Sequence, residues 1–295
     1  MKDLLNMAGL TKQALWKAQK REVGKAIIVD QTLRIIRNIR QRHKRMGCRS
    51  IYAASQMKPP VGRDNFIAIG MAHGFRLKRR RNKVKTTWSQ RVEIFPNQIE
   101  GRILNGINQV WQSDIFYYEE QGVDYYGVTI VDVYSRRLLA LHLSKSLRAA
   151  ENVKALRKAL RCRSKYNLVG CIFHSDRGSQ YISEPHKTLL DQYGMKKSMC
   201  LLPQENAYAE RIHDTIKNYY MCDEQLSGQD LSKIANRIMR KYNYEKPHSE
   251  LCMRTPVAFE NYVEKMIPRR RPKTVIFKWN HELSTKNRLL TKRKK

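Results

Sequence analysis

Acidic residues are scarce in this chain. Its 26 Asp and Glu stand against 58 Lys and Arg, which leaves a formal net charge of +32 and a pI near 10.1. A protein so poor in acid does not recruit a polycation, and its partner is a polyanion. Paired cysteines are missing as well. Cys48, Cys162, Cys171, Cys200, Cys222 and Cys252 form no Cys-x-x-Cys pair, and no Cys/His group has zinc-ligand spacing. That excludes a zinc finger and a disulfide scaffold, and the six read as reduced, mostly packed thiols of a cytoplasmic protein without a signal peptide. No apolar run approaches membrane-spanning length. A membrane-surface protein would need a basic amphipathic helix with large apolar anchors, and none is found. No internal repeat is found either.

What is present is unevenly placed. Residues 1–110 hold 24 basic and 6 acidic side chains, residues 111–225 hold 16 and 14, and residues 226–295 hold 18 and 6. Two basic arms therefore flank a nearly balanced middle that carries over half of the acids. This is a nucleic-acid footprint, and the many Lys and Arg contacts to phosphate predict affinity that falls steeply with salt.

The first arm reads as helical. Apolar residues recur at helical spacing over 3–21, with a break at Gly9, and again over about 30–46. Residues 49–56 and 63–73 give two shorter helices, joined across Pro59, Pro60 and Gly62. Short helices, tight turns and surplus Arg point to helix-turn-helix units in residues 1–75, with a generic small bundle as the plainer reading. Residues 76–91 contain eight basic and no acidic side chains, including Arg79, Arg80 and Arg81. A basic linker over 76–105, tracking a phosphate backbone, is the reading favoured over a merely solvated run.

The period changes near 109. Strands are predicted at Val110–Tyr118, Tyr125–Val131 and Arg137–Ser144, with Glu119–Asp124 as a turn. An amphipathic helix follows over 147–161, then a short strand Val169–Phe173 that runs into His174-Ser175-Asp176. Ser183 is placed to cap a helix ending at Gly194. Met195–Met199 is a last strand, and Asn206 starts a helix that reaches about Tyr220. The order βββαβαβα, antiparallel first and parallel later, resembles the ribonuclease-H-like fold: a mixed five-stranded α/β sheet with helices, over 106–265. Residues 228–265 read as helical with an interruption at Glu245-Lys246-Pro247, and 266–295 as a basic tail.

Against this basic background three acids stand out. They are Asp114 in Trp111-Gln-Ser-Asp-Ile-Phe116, Asp176 in His174-Ser-Asp-Arg-Gly-Ser-Gln-Tyr181, and Glu210 in Glu205-Asn-Ala-Tyr-Ala-Glu-Arg211. The predicted order puts Asp114 on the central strand, Asp176 at the C-terminal end of its neighbour and Glu210 one turn into the last core helix. Breaking a phosphodiester requires a polarised phosphate, an activated attacking oxygen and a stabilised leaving oxygen, which two magnesium ions held by a few carboxylates supply. Each acid also has a plainer reading: Asp114 as the partner of an Arg, Asp176 as the start of an ordinary turn, and Glu210 as one exposed helix face with Asp214 and Lys217. Arg177, Arg211 and Lys217 are positioned for phosphates, and Asn206 or Tyr208 for a DNA end; surface salt bridges and contacts are the alternative for each. His174 reads as a packed or orienting residue, and Tyr126 and Tyr134 as core. The four tryptophans show no arrangement that argues base stacking.

These segments, with Val131-Asp-Val-Tyr-Ser-Arg136, Tyr242-Asn-Tyr-Glu-Lys-Pro-His-Ser249 and Thr255-Pro256, fall in an order that closely resembles the integrase-core transposases encoded by the second reading frame of bacterial insertion sequences. These are relatives of retroviral integrases and carry a DDE triad. The resemblance covers about 30–265. It implies that Asp114, Asp176 and Glu210 are the catalytic and metal-binding triad, holding two Mg2+ or Mn2+ ions. It implies a DNA transposase that binds terminal inverted repeats, cleaves 3′ ends and transfers strands as a multimer on paired ends. Arg63-Asp-Asn-Phe66 and the basic stretch after it resemble the family's helix-turn-helix segment and its Arg-rich continuation. An upstream-frame protein, as partner or frameshift fusion, is a further implication. The protein would then sit in the cytoplasm on the nucleoid. The chain departs from the pattern in two places: 33 residues separate Asp176 from Glu210, fewer than the family usually has, with Cys200-Leu-Leu-Pro-Gln204 in place of its usual turn, and Tyr219 stands where many relatives have an acid. A catalytically inactive copy acting as a repressor, and a nuclease acting on RNA–DNA hybrids, remain the competing classes. The large basic N-terminal region is unneeded by the latter.

Overall fold

Gln121 and Gly122 both take positive φ, 50° and 78°. Two consecutive residues in that region make the tight hairpin turn whose twist matches the strands it joins. They connect β1 (Val110–Glu120) to β2 (Val123–Asp132), paired antiparallel from Trp111↔Asp132 to Glu120↔Val123. The turn expected over 119–124 is thus two residues long, and the strands run further than their sequence signals. β3 (Leu138–Ser144) adds antiparallel to β2. The chain then crosses through α4 (Ala149–Cys162), the kind of connection a parallel pair requires. β4 (Ile172–Ser175) lies parallel to β1, and β5 (Lys196–Met199) follows α5 (Glu184–Gln192) and lies parallel to β4. The five-stranded order is β3-β2-β1-β4-β5, with β1 in the centre. This is the mixed sheet expected of a ribonuclease-H-like α/β fold.

The computed structural model describes residues 11–55, 59–77, 95–200 and 203–276. The chain divides into two compact units, 1–81 and 82–295. Arg79, Arg80 and Arg81, residues 3–10 of the first expected helix and most of the C-terminal tail lie outside the described residues.

In the first unit, α1 is one helix, Lys12–Arg42, capped by the Thr11 hydroxyl on Ala14 N at 3.1 Å. The two separate helices read from the sequence are therefore continuous through 22–29. No proline interrupts that stretch, and a single glycine, Gly24, lowers helix propensity without breaking it. Helices α2 (Cys48–Ala54) and α3 (Arg63–Ala72) pack on the C-terminal half of α1 through Leu33, Ile36, Cys48, Ile51 and Phe66. Arg63 opens α3, exposed, with its Nε 2.9 Å from Asp64 Oδ1.

In the second unit, strand alternation sends side chains to two covered faces. Trp111, Val128, Ile130 and Leu139 pack with α4 and α5. Phe116, Val131, Leu138 and Leu141 pack with α6 (Ala207–Thr215) and α7 (Leu231–Arg240). Both of these helices continue directly into five-residue π-turns, Ile216–Tyr220 and Lys241–Glu245, where the sequence suggests plain helix. A third cluster lies at the sheet's end under α8 (Pro256–Glu264) and joins Ile99, Tyr134 and Ile276. Ile103–Leu104 pairs with Thr274–Val275, so the folded unit reaches past the expected boundaries at 106 and 265. Tyr134 is buried as expected. The buried tyrosine of β2 is Tyr125, while Tyr126 is only half-buried and stands edge-on to Tyr117.

Gly127 carries a specific constraint. A Cβ there would sit 2.1 Å from Phe116 Cζ, because the ring lies across the glycine on the neighbouring strand. Gly127→Ala is expected to displace that ring and destabilise the unit by about 1–3 kcal/mol, the usual penalty of overpacking. Chemical denaturation measures it, and an unchanged midpoint would show that the ring is free to move.

Candidate active site

The parallel pairing of β1 with β4 ends at Gln112↔His174. Asp114 lies two residues beyond Gln112, and Asp176 two beyond His174. The period of two brings Asp114, within β1, and Asp176, just past the end of β4, to the same side of strands about 4.8 Å apart.

Glu210 arrives on α6, which is fastened to β1 at several points. Gln112 Nε2 donates to Glu205 O at 3.0 Å, and Asn206 Nδ2 donates to Ser113 O at 3.0 Å. His213, three residues after Glu210 and thus on the same helix face, places Nδ1 3.3 Å from Asp114 Oδ2. The ring packs edge-on against Phe116, with centroids 4.9 Å apart. Asn206 occupies the N-cap position without a side-chain cap bond, and it is buried. Its amide braces the helix start against β1 and does not face solvent, so it is not placed to touch a DNA end.

Electrostatics tie the three acids together. The Asp114 carboxyl is pushed up to about 8, first by burial and then by the charges of Asp176 and Glu210; the Ile115 N–H, 2.9 Å from Oδ1, only partly offsets this. Asp176 is also raised by burial, against the pull of the Gly178 N–H at 3.0 Å. Glu210 is raised by burial and by Asp214. Carboxylates that repel one another in a recessed site are poised for a cation, and an all-oxygen donor set suits a hard ion such as magnesium. Among the described residues no group of three or more His, Cys, Asp and Glu forms a ready-made metal cage. Magnesium keeps several waters and shares substrate phosphates, so it does not require one.

The basic residues expected at the site have varied fates. The Lys217 amine lies 5.4 Å from the Phe116 ring; burial lowers its pKa, while Asp214 and Asp114 hold it up. Arg177 Nε donates to Cys200 O at 3.1 Å. Arg211 is exposed and pairs with Glu250, which also takes Arg136 Nε at 3.0 Å. Arg136 lies 4.1 Å over the Tyr208 ring. Arg211, Tyr208, Arg136, Glu250 and Lys273 line one cleft of about 460 Å³. Arg63 belongs to the other unit.

His174 is fully buried, its Nδ1 2.9 Å from Ser198 Oγ, and burial pushes it down to about 4. It is a packed residue, as expected. The sequence reading passed over Gln112, His213 and Thr129. Their signals are spacings: Gln112 shares a strand face with Asp114, His213 shares a helix face with Glu210, and Thr129 lies opposite Asp114 in the hairpin.

Residues 105–201 match the family model described as integrase core domain, and residues 200–256 match a second model of the same description. An uncharacterized 31 kDa protein of insertion element IS600 from Shigella sonnei is 30% identical over 212 residues, 70% of this chain and 77% of that protein. The transposase for insertion sequence element IS904 from Lactococcus lactis is 29% identical, over 52% of this chain. Transposase InsF for insertion sequence IS3A from Escherichia coli is 28% identical, over 53% of this chain. The chain spans 62% and 55% of the lengths of these two transposases. Among solved structures, the HTLV-2 integrase catalytic core domain in complex with magnesium has 19% identity and a TM-score of 0.42, with 56% of this chain and 99% of that chain covered. A simian T-cell lymphotropic virus intasome chain has 15% identity and a TM-score of 0.45, with 78% and 74% covered. No helix among the described residues is long and apolar enough to cross a membrane. The chain belongs to the bacterial insertion-sequence transposases that carry an integrase core domain.

Proposed function

We propose that this protein breaks and joins DNA at the ends of its insertion sequence, using Asp114, Asp176 and Glu210 as a metal-binding catalytic triad. The observation that carries this reading is a buried carboxyl, Asp114 on the central strand, lifted to about 8 first by burial and then by the charges of Asp176 and Glu210. Two Mg2+ or Mn2+ ions bound there would polarise the phosphate, activate the attacking oxygen and stabilise the leaving one. The β1–β4 register, which ends at Gln112↔His174, supports a meeting of Asp114 and Asp176, and Glu210 is exposed on α6. Water attacks the phosphodiester at the element's 3′ end, and the freed 3′-hydroxyl then attacks a second phosphodiester. No covalent protein–DNA bond forms, so no Ser or Tyr nucleophile is assigned.

Residues 1–75, with Arg63, would read the terminal inverted repeats, and the basic linker over 76–105, with Arg79, Arg80 and Arg81, would follow the phosphate backbone. Arg177, Arg211, Lys217 and Tyr208 would meet DNA near the triad, and the basic tail would add a further arm. The protein would act in the cytoplasm on the nucleoid, as a homo-multimer on paired ends, alone or fused to an upstream-frame protein.

The test is magnesium-dependent cleavage of a labelled duplex that carries the flanking inverted repeat. Wild type is expected to cleave, and Glu210→Gln to lose about 10²-fold or more, the scale of removing one charge-stabilising group. Duplex binding without cleavage by wild type would favour a repressor copy instead.

A further inference from the structure

His213 and Thr129 have no part in the triad, yet both converge on Asp114. Thr129 is the cross-strand partner of Asp114 in the β1–β2 ladder. Its hydroxyl lies 2.7 Å from His213 Nε2 and 3.4 Å from the Asp114 carbonyl oxygen. His213 Nδ1 faces Asp114 Oδ2 at 3.3 Å, and both His213 and Thr129 are buried. A chain of three groups therefore runs from β2 through α6 to β1.

The imidazole is held from two sides, with Nδ1 toward Asp114 Oδ2 and Nε2 toward the Thr129 hydroxyl, and its ring stands edge-on to Phe116. A neutral ring has one N–H, and the Thr129 hydroxyl decides where it sits. If that hydroxyl donates to Nε2, the proton lies on Nδ1 and points at the carboxylate. If it donates only to the Asp114 carbonyl, the proton lies on Nε2, and a lone pair faces Oδ2. An ionised Asp114, the form able to hold a cation, accepts only the first arrangement.

We propose that His213 is a positioning residue for Asp114, donating from Nδ1 to Oδ2 to fix the carboxylate for a metal ion, with Thr129 selecting that tautomer. The inference rests on the reading of Asp114 as a metal ligand. The helix α6 then does two things at once, since it carries Glu210 and also orients Asp114, so the two ligands are set together. Hydrogen bonds to metal-ligating carboxylates change metal affinity by about 10–100-fold when removed.

The test uses the full chain and Mn2+ alone as probe, with binding followed by the electron-spin-resonance signal of free Mn2+. Thr129→Val keeps the volume and removes the hydroxyl. His213→Phe keeps a ring against Phe116 and removes the N–H, and Thr129→Ser restores the donor. Both Thr129→Val and His213→Phe are expected to weaken Mn2+ binding about tenfold with thermal midpoints unchanged, and Thr129→Ser to bind as wild type does. Long-range proton–nitrogen spectra at saturating Mg2+ are expected to show His213 protonated on Nδ1 in wild type and a mixture of tautomers in Thr129→Val. Unchanged affinity in both variants, with binding lost in Asp114→Asn, overturns the role of His213 and leaves the triad intact. Equal binding by wild type and Asp114→Asn, or none by wild type, overturns the metal site and this role with it. An Nε2 proton in wild type overturns the tautomer assignment.

Discussion

Asp114→Asn is expected to lower magnesium-dependent strand breakage by about 10³-fold or more, roughly 4 kcal/mol of transition-state stabilisation, without lowering the stability of the metal-free protein. The first part follows from removing the central charged ligand. The second follows from linkage. Burial, Asp176 and Glu210 raise this carboxyl to about 8 in the folded chain, against about 3.9 when unfolded. Between those values the folded state holds more protons than the unfolded state, so the Asp114 contribution to stability falls as pH rises from about 4 to 8. The amide carries no charge and loses that slope. Denaturation midpoints of wild type and Asp114→Asn, without metal, should therefore diverge in favour of the variant between about pH 6 and pH 8. Comparing the two proteins cancels the opposite slope of the buried histidines, whose lowered pKa values cause stability to fall as pH drops below about 6.5. A variant less stable than wild type at pH 8 would show that Asp114 is a paired structural acid. Magnesium should raise the wild-type midpoint and leave the variant unmoved.

Arg163→Met is expected to be the most destabilising substitution far from the triad, at about 3–5 kcal/mol. Arg163 is fully buried, with its guanidinium hydrogen-bonded to Glu260 on α8 (Nη1 to Oε2, 2.9 Å) and 3.7 Å from the buried Asp132. Burial would raise the Glu260 carboxyl, but this guanidinium holds it below its usual value. Asp132 stays raised despite Arg163, since burial outweighs the attraction. Asp132 also takes the N–H groups of Tyr134 and Ser135 at 3.0 Å, and Ser135 Oγ donates to Glu260 at 2.7 Å. Removing the cation takes Arg163 away from the buried Asp132 and leaves Glu260 with Arg137 as its cationic partner. For a unit of this size the thermal midpoint should fall by roughly 10 °C. Calorimetry checks it, and a fall of less than about 2 °C would mean that water reaches the network. Because these contacts help to tie α8 to the sheet, local proteolysis near 256–264 should accompany the loss.

The positions of Asp114, Asp176 and Glu210 in the fold were legible because their immediate contexts are dense in constraint: strand alternation, a strand end and a helix start. The element order was readable for the same reason, since β1 to β5 differ in period from the helices between them. Boundaries were less so. The β1–β2 hairpin closes on Gln121-Gly122 because two positive-φ residues fit its twist, a preference that a six-residue polar stretch conceals. The continuity of α1 across Gly24 was hidden because tertiary burial begins only near Thr32. The misplacement of Asn206 toward DNA has a tertiary cause: its partner is the carbonyl of Ser113, 93 residues earlier. Thr129 and His213 escaped for that reason too, as their meeting depends on a strand register and a helix docking together. Arg163 and Glu260 lie 97 residues apart, and nothing local marks either as buried.

The most direct test of the central claim is metal-specific rescue at Asp176. Magnesium prefers oxygen ligands, whereas manganese accepts a thiolate more readily. Asp176→Cys is predicted to be inactive on the terminal-repeat duplex in Mg2+ and to regain cleavage in Mn2+, while wild type works in both. Equal cleavage by wild type and Asp176→Cys in Mg2+ would contradict the assignment of Asp176 as a metal ligand, and with it the triad.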